Sequence, residues 1–259
     1  MSLIALVAGA GGVGATGCGQ ELAVGSDVLW TARFEGADLS EWTDAPGGAS
    51  AAFPATNAID VLAERAFQGR FAARLTIQTP SDGTQANAGL NRSGFLPIEG
   101  YYSAWYYLPR TIKVGTFWVI FKFRMRSVAD DASTTDELFD LNFTNTVDGG
   151  MSLRLYDHRN GGGNVSLAVD APTVPVGRWF QVESFYRNAQ DASGRLTFWL
   201  DGRQIVDVDG AMAPTPWVAW EVVSVAVDLD PSTAVLYVDD CAISRTRVGP
   251  DGVIAASRP

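Results

Sequence analysis

The segment 151–158 (MSLRLYDH) carries the side chains best suited to chemistry. Tyr156 and His158 lie two residues apart, so in a strand they would share one face at about 7 Å from each other. Tyrosine and histidine transfer protons in enzymes, and either Arg154, on the same face, or Asn142 of a neighbouring segment could bind a carboxylate. The segment therefore predicts a site that moves a proton beside a bound carboxylate. The alternative is that His158 is a solvated turn residue before the glycine-rich segment 160–164.

The segment 116–126 (TFWVIFKFRMR) has two unlike faces when it is read with a period of two. One face is apolar and would lie in a core, and it consists of Phe117, Val119, Phe121, Phe123 and Met125. The other face begins with Trp118 and Ile120 and ends with three cations, Lys122, Arg124 and Arg126. Aromatic rings pack on apolar surfaces and cations bind acidic groups, so this second face suits a sugar or an anion. The plainer interpretation is a solvated outer face.

A third segment, 137–144 (ELFDLNFT), alternates polar Asp140 and Asn142 with apolar residues. If the three segments are neighbouring strands, their polar faces form one surface. The candidate binding residues on that surface are Trp118, Lys122, Arg124, Arg126, Asp140, Asn142 and Arg154. Its cations stand out in a chain of formal net charge -10, which favours an acidic glycan as the ligand. This inference depends on the phase of each strand.

Two carboxylates on one face would indicate glycoside hydrolysis instead. The nearest pair is Glu137 and Asp140, and regular alternation places residues three apart on opposite faces of a strand. The sequence therefore disfavours a hydrolase.

Composition and turn spacing predict one all-β domain, a sandwich of two antiparallel sheets at residues 31–248. The segments 19–30 and 249–259 are expected to be flexible. Of the 259 residues, 47% are hydrophobic, which is ample for a core, and the acidic balance argues against general nucleic-acid binding. One histidine and two cysteines leave little material for a His/Cys zinc site.

The N-terminal residues 2–17 are small and apolar and precede Cys18, which is typical of a signal peptide with a bacterial lipobox. This pattern predicts an exported protein, periplasmic, extracellular or attached to the outer membrane only through a lipid on Cys18. The glycines at 9–14 could also be read as a dinucleotide-binding turn, but no strand–helix–strand pattern follows them. If Cys18 is not lipidated, a disulfide between Cys18 and Cys241 is the alternative.

Three further motifs resemble those of secreted carbohydrate-associated β-sandwiches. Residues 34–42 (FEGADLSEW) are similar to their opening strand, and residues 235–244 (VLYVDDCAIS) are similar to their closing strand. Residues 175–183 (PVGRWFQVE) and 194–204 (GRLTFWLDGRQ) resemble the hairpin of concanavalin A-like jelly rolls. Over about residues 34–244 the chain thus resembles the group that holds laminin-G-like lectin domains and heparin-lyase I-like polysaccharide lyases.

The resemblance implies a single jelly-roll β-sandwich, expected to be a monomer, that binds a poly- or oligosaccharide on its concave sheet. The first alternative is a lyase that cleaves a uronic-acid glycan by β-elimination, with Tyr156 and His158 transferring protons. The lyase families carry Arg-x-Glu or Gln-x-His signatures, and this chain has Asn91-Arg92-Ser93 and Phe121-Lys122-Phe123 at the similar places. A non-catalytic structural or adhesive surface protein is the remaining alternative.

The resemblance also implies a structural calcium ion. In this fold the first and last strands pair, which would bring Glu35 near Asp239 and Asp240. Oxygen ligands from several segments suit Ca²⁺, so these three residues are the expected ligands. The alternative is a strand end with solvated carboxylates.

Overall fold

The computed structural model describes residues 27–44, 47–93, 96–126, 135–215 and 217–252. Fifteen strands and one short helix make up its regular structure. The helix α1 is Ser40–Thr43, and a 3₁₀ turn follows at Arg159–Gly161. The strands are β1 Val28–Ala32, β2 Gly48–Phe53, β3 Ala58–Leu62, β4 Ala72–Gln78, β5 Ala86–Arg92, β6 Glu99–Tyr107, β7 Lys113–Arg126, β8 Thr135–Asn145, β9 Met151–Asp157, β10 Gly163–Val165, β11 Trp179–Arg187, β12 Arg195–Leu200, β13 Arg203–Asp209, β14 Val218–Asp230 and β15 Thr233–Ser244.

The strands form two antiparallel sheets that face each other. The eight-stranded sheet has the order β13-β12-β11-β6-β15-β4-β3, with β1 also paired to β15. The seven-stranded sheet has the order β10-β9-β8-β7-β14-β5-β2. The pairing of the first strand with the last, and the neighbouring positions of β7, β8 and β9, are as the sequence predicted.

The core lies between the sheets and is rich in aromatic rings. Trp220 of the seven-stranded sheet is fully buried, with its ring centroid 5.4 Å from that of Trp42 and 5.5 Å from that of Tyr102. Phe121 meets Phe198 of the opposite sheet edge-on at 5.2 Å. Burying each such side chain contributes roughly 1.5–3 kcal/mol, so this layer fixes which faces of the strands point inwards.

The all-β jelly-roll sandwich predicted from the sequence is confirmed, and the local patterns mark most of its strands. The segment 34–42, expected to be the opening strand, is instead a turn followed by α1, because Phe34 and Ala37 have positive φ angles of 61° and 59°. The opening strand is β1. The alternation rule also missed β2 to β5, and of these β2 and β5 are rich in alanine and glycine, which are weak strand formers.

Strand β7 departs from regular alternation, and this corrects the predicted position of Trp118. A register shift separates Val119 from Phe121, and both Ile120 and Phe121 are fully buried in the core. Two successive residues facing inwards reverse the phase of the strand, as a β-bulge does. Trp118 is therefore a core residue whose Nε1 donates to Ser224 Oγ at 2.9 Å, and Phe117 and Val119 face outwards.

A second register shift lies in β8, opposite Phe123 and Arg124 of β7. Because of it, the prediction that Glu137 and Asp140 lie on opposite faces of the strand is wrong. Leu138 and Phe139 both belong to the core, so the residues on either side of them face outwards together. Glu137 and Asp140 are consequently on the same face of the sheet, where regular alternation had put them on opposite faces.

Both ends of the domain extend beyond the predicted limits of 31 and 248. Strand β1 begins at Val28, and after β15 the backbone N–H groups of Val248 and Gly249 donate to the buried Glu183 carboxylate at 2.7 and 3.3 Å. Cys18 lies outside the described residues, so its lipidation and its disulfide with Cys241 both remain predictions. Cys241 is buried and has no disulfide partner among the described residues. Within the described ranges, no helix has the length and apolar character needed to cross a membrane.

Candidate functional site

The outward face of the seven-stranded sheet carries a row of polar side chains in register across neighbouring strands. Asn91 of β5 pairs with Glu221 of β14, Glu221 with Lys122 of β7, Lys122 with Asp140 of β8, and Asp140 with Tyr156 of β9. We call this set the charged row. Since paired strands lie about 4.8 Å apart, the row crosses about 20 Å of the sheet.

A second row lies beside it and changes from apolar to polar. Val225 of β14 pairs with Val119 of β7, Val119 with Asn142 of β8, and Asn142 with Arg154 of β9. We call this set the mixed row. The two rows meet in a cavity of about 370 Å³, which is lined by Gln85, Thr116, Phe117, Val119, Lys122, Glu137, Asp140, Asn142, Arg154, Tyr156 and His158.

Lys122 is the centre of an ion-pair cluster at the bottom of the cavity. Its side chain is only 5% exposed, and Nζ lies 2.6 Å from Glu137 Oε1 and 3.6 Å from Asp140 Oδ1. His158 Nε2 lies 3.0 Å from Asp140 Oδ2 and 3.5 Å from Glu137 Oε2. Two carboxylates thus hold two cationic groups, and the bulge in β8 makes this possible by turning Glu137 into the cavity.

The carboxylates favour the protonated form of His158. The hydrogen bond to Asp140 raises the pKa of His158 above its ordinary value, and the charges of Asp140 and Glu137 act in the same direction. Burial and the Lys122 ammonium act against this shift. Burial by itself raises the pKa of Glu137, but the charge and hydrogen bond of Lys122, with His158 and Arg124, lower the pKa of Glu137 below its ordinary value.

The same cluster includes the atoms best placed to hold a metal ion. Glu137, Asp140 and His158 each offer a ligand atom within 4.8 Å of the others, and no other such trio occurs in the described ranges. Oxygen and nitrogen ligands of this kind suit a divalent cation. However, the Lys122 ammonium already neutralises these carboxylates at hydrogen-bond distance.

Arg154 differs from the other cations that line the cavity, Lys122 and His158, because it has no carboxylate partner. Within the described part of the chain it makes no hydrogen bond or ion pair, and its buried Nε is an unsatisfied donor. It lies in the cavity beside Asn142, whose Nδ2 donates to the Asp140 carbonyl at 2.9 Å. An unpaired charge that is partly withdrawn from water is costly, so an anion in the cavity would stabilise this guanidinium.

Tyr156 and His158 form the aromatic wall of the cavity. Their ring centroids are 4.7 Å apart, with the planes at 60°. The glycine-rich turn passes close to the phenol, because a Cβ on Gly162 would lie 2.7 Å from the Tyr156 hydroxyl oxygen. Gly162 also has a φ angle of 79°, so glycine is required here both for backbone conformation and for space.

Besides Tyr156 and His158, the cavity gathers four residues of the sequence-derived set: Lys122, Asp140, Asn142 and Arg154. Trp118 does not line it, and its neighbours Phe117 and Val119 do. Arg124 lies next to the cavity and pairs with Glu221 at 3.4 Å, and the described structure does not extend to the side chain of Arg126. Sequence reasoning missed Gln85, which precedes a strand that the pattern did not reveal, and Thr116, which was not assigned to either face of its segment. It missed Glu137 as a cavity residue because no signal marks the bulge.

The residues expected to bind calcium already have protein donors. Glu35 Oε1 accepts hydrogen bonds from two backbone N–H groups, and Asp239 Oδ2 accepts from two more, all within residues 67–71. Asp240 Oδ1 accepts from Arg33 Nε at 3.0 Å. Asp239 Oδ1 also accepts a hydrogen bond, from the Asp240 N–H group. These donors compete with a cation for the carboxylate oxygens, and the calcium site expected from the sequence stays a prediction.

Comparisons with known proteins support the fold. No family model and no curated protein matches the chain. An endo-beta-1,4-glucuronan lyase from Trichoderma reesei is similar in structure, with a TM-score of 0.65 and 15% identity over 87% of this chain and 100% of that one.

Two other solved structures are similar at a TM-score of 0.57. The PL-14 alginate lyase from Aplysia kurodai is 12% identical over 85% of this chain and 99% of its own, and cellulose induced protein, Cip1, is 13% identical over 85% and 98%. The chain therefore has the concanavalin A-like jelly-roll fold that these proteins share. Because a fold of this kind serves several activities, function must be argued from the cavity.

Proposed function

We propose that the cavity on the seven-stranded sheet binds an acidic glycan through a uronic-acid carboxylate. The observation that carries this proposal is the guanidinium of Arg154, which has no partner among the described residues and lies in a cavity of about 370 Å³. Arginine binds carboxylates with two parallel hydrogen bonds, which supply both affinity and orientation. The solved structures of similar fold include enzymes named for glucuronan and alginate, which are uronic-acid polymers.

The surroundings of Arg154 suit a sugar as well as a carboxylate. Tyr156 offers an aromatic ring and a hydroxyl group, and Asn142 offers an amide that can bind sugar hydroxyls. Val119 and Phe117 offer an apolar surface for the C–H groups of a pyranose ring. A cavity lined by apolar groups with a few convergent polar groups is the usual form of a ligand site.

Binding is tested by titration calorimetry with four glucuronate polymers: the homopolymer, the O-acetylated homopolymer, and polymers in which glucuronate alternates with glucose or with rhamnose. Dextran serves as the neutral control. For each polymer that the wild-type protein binds, Arg154→Ala should weaken binding by about 10- to 100-fold, because a charge-assisted pair is lost. Arg178→Ala, at an arginine that is 65% exposed and distant in the fold, is the matched control and should bind like wild type.

Failure of all four polymers to bind, or equal binding by the Arg154→Ala variant, would overturn the proposal. Binding of dextran as strongly as the glucuronate polymers would also contradict it, because the carboxylate is the group that Arg154 is proposed to recognise. Raising the salt concentration should weaken binding, since the contact is between opposite charges.

The second candidate function is cleavage of the same glycan by β-elimination, and the contact between Tyr156 and His158 favours it. In this reaction a base removes the C5 proton, the C4–C5 double bond forms as the C4–O4 bond breaks, and an acid protonates the leaving O4. Arg154 would neutralise the carboxylate, which makes the C5 proton more acidic. His158, which lies 3.0 Å from Asp140 Oδ2, fits the proton donor to O4, and the Tyr156 oxygen fits the group that accepts the C5 proton.

Cleavage is measured by the ultraviolet absorbance of the new double bond when the protein is incubated with the four polymers. Tyr156→Phe should abolish product formation and leave the dissociation constant within about threefold, since it removes one hydroxyl group and keeps the ring. Binding without product by the wild-type protein would reject the lyase and leave a glycan-binding protein. Neither binding nor product would leave a structural or adhesive surface protein.

A further inference from the structure

We propose that the glycan bound in this cavity is a heteropolymer in which each uronate residue stands between neutral sugars. This inference rests on the proposed function, since it names the class of ligand for the same site. The observation that carries it is the charge of two further cavities, one on each side of the cavity that contains Arg154. Both carry carboxylates, and neither offers an unpaired cation among the described residues.

The three cavities adjoin one another along β7 and together form one groove. The first end cavity, of about 800 Å³, shares Thr116 with the central cavity, and the second end cavity, of about 490 Å³, shares Glu137 and His158 with it. Strand β7 passes from Thr116 at the first end through Lys122 in the centre to Met125 at the second end. This part of a strand spans about 30 Å, so the groove accommodates several sugar residues in a row.

The first end cavity suits uncharged sugars. Hydroxyl and amide groups that can bind sugar hydroxyls are contributed by Thr56, Gln78, Ser81 and Ser232. One carboxylate, that of Asp228, lines this cavity, and none of the described residues that line it is a cation. A uronate at this end would therefore meet a like charge and no counter-charge.

Asp228 lies at an irregular position of β14. The pairing with β7 shifts between Val227 and Leu229, and Asp228 between them is exposed and has a positive φ angle of 59°. Lys113, the cation at the start of β7, pairs in register with Asp230 and does not line the cavity. Asparagine adopts the left-handed conformation as aspartate does, so Asp228→Asn removes the charge and keeps the backbone.

The second end cavity also carries an excess of carboxylates. The carboxylates that line it are those of Asp136, Glu137 and Asp209. Its two cationic groups are already paired, because Arg159 Nη2 lies 2.7 Å from Asp157 Oδ2 and His158 Nε2 lies 3.0 Å from Asp140 Oδ2. This end of the groove therefore disfavours a uronate as well.

The groove thus has one place that favours a carboxylate, at Arg154, and an acidic cavity on each side of it. In a homopolymer of uronates, the residues on either side of the one bound at Arg154 would bring their own carboxylates into the acidic cavities. Those carboxylates would lose water and gain no counter-charge. Neutral sugars at the same places would keep their hydrogen bonds to the hydroxyl and amide groups and meet no repulsion.

The titration with four polymers separates these ligands when concentrations are expressed per glucuronate. The glucuronate–glucose and glucuronate–rhamnose polymers should bind at least about fivefold tighter than the homopolymer, which presents a carboxylate to each end cavity. The O-acetylated homopolymer keeps every carboxylate, so it should bind no tighter than the plain homopolymer. The ratio between the alternating polymers and the homopolymer should shrink as salt is raised, because screening weakens a repulsion between charges.

Asp228→Asn and Asp136→Asn test the two end cavities one at a time. Each should raise the affinity for the homopolymer by about two- to fivefold, and so narrow the gap between it and the alternating polymers. Asp251→Asn is the matched control, at an exposed carboxylate that follows Pro250, which lies next to Gly202 of the eight-stranded sheet. It should keep the wild-type ratio. Circular dichroism and thermal unfolding of each variant verify that it is folded.

Homopolymer binding as tight as that of the alternating polymers would overturn the heteropolymer inference. It would leave the proposed function standing, provided that Arg154→Ala still weakens binding. An unchanged ratio in both the Asp228→Asn and the Asp136→Asn variants would also overturn the inference, since the preference would then not arise from the charge of the end cavities. Absence of binding by every polymer would overturn the proposed function, and the inference with it.

Discussion

Two regions of this molecule withdraw charged side chains from water, and they treat those charges in opposite ways. At the junction of β1 and β15, Asp239 and Asp240 are almost fully buried, and their oxygens accept hydrogen bonds from backbone N–H groups and from Arg33. On the outward face of the seven-stranded sheet, Arg154 has no such partner among the described residues. The first region is complete within the protein, and the second becomes complete only with a ligand.

The difference shows how a charged group that stabilises the fold can be distinguished from a charged group that binds a ligand. A buried group with good partners stabilises the fold when its neighbours are kept, and breaking such a pair leaves an uncompensated charge. A group that lines an open cavity without partners contributes little to folding and is available for recognition. Mutations in the two regions should therefore separate stability from binding.

The largest effect is expected at the ion pair between Arg33 and Asp240, whose side chains are 16% and 3% exposed. Asp240→Ala removes the carboxylate and leaves the guanidinium without its partner, so the free energy of unfolding should fall by about 3 kcal/mol. Denaturant titration measures the change. Asp209→Ala, at a carboxylate that is 79% exposed and 3.9 Å from its arginine, is the control and should change stability by less than about 0.5 kcal/mol. Similar losses in the two variants would contradict the assignment.

The next effect is a pH dependence that arises from Asp239. Burial and the charge of Asp240 raise the pKa of Asp239 to about 7, although the N–H groups of Phe67, Asp240 and Gln68 act in the other direction. The folded state then holds this proton between pH 4 and 7 while the unfolded chain has released it, so stability falls as the pH rises through that window. The loss should be on the order of 4 kcal/mol and should level off above pH 7.

Asp239→Asn cannot titrate, so its unfolding free energy should fall less than that of the wild type between pH 4 and 7. Denaturation curves at four pH values across the window give the comparison. If the unfolding free energies of wild type and variant change with pH in parallel, Asp239 is ionised in the folded state throughout the window. Burial would then not be the dominant influence on the pKa of Asp239.

A smaller change in stability is expected when Arg154 is removed. Arg154→Ala deletes a buried donor that has no acceptor but also removes part of the packing of the side chain, so the unfolding free energy should change by less than about 1 kcal/mol. The same variant should lose 10- to 100-fold in glycan affinity, which sharpens the contrast with Asp240→Ala. A loss of several kcal/mol in stability would mean that Arg154 has a structural role.

The smallest effect is expected on removal of metal ions. Because Glu35, Asp239 and Asp240 are occupied by protein donors, addition of EDTA should change the melting temperature by less than about 1 °C. Differential scanning calorimetry with and without EDTA makes the test, with added Ca²⁺ as the control. A fall of several degrees that Ca²⁺ restores would establish the calcium site that the sequence resemblance implied.

Much of the fold follows from the sequence because most strands obey a period of two and end at turn residues. The motif at residues 175–183 leads into strand β11, and the motif at 194–204 contains β12, which forms the expected hairpin with β11. The period-two pattern did not predict strands such as β2 and β5. Their alanine and glycine residues have no strong preference of their own, and pairing with neighbours makes them strands.

The candidate site shows the limit of the same rule at individual positions. Asp140, Asn142, Arg154 and Tyr156 share the cavity because their stretches of β8 and β9 alternate regularly. Trp118 was assigned to the wrong face because a bulge reverses the phase of β7. Such a bulge depends on how three strands pair, and one strand's sequence does not contain that information.

The most direct test of the central claim is a crystal structure of the protein with a glucuronate-containing tetrasaccharide. The claim is that Arg154 has no partner because a ligand carboxylate is its partner. We predict a carboxylate oxygen within roughly 3 Å of the Arg154 guanidinium, with the sugar ring next to Tyr156. A tetrasaccharide bound on the eight-stranded sheet, or in the cavity with its carboxylates directed away from Arg154, would contradict the account.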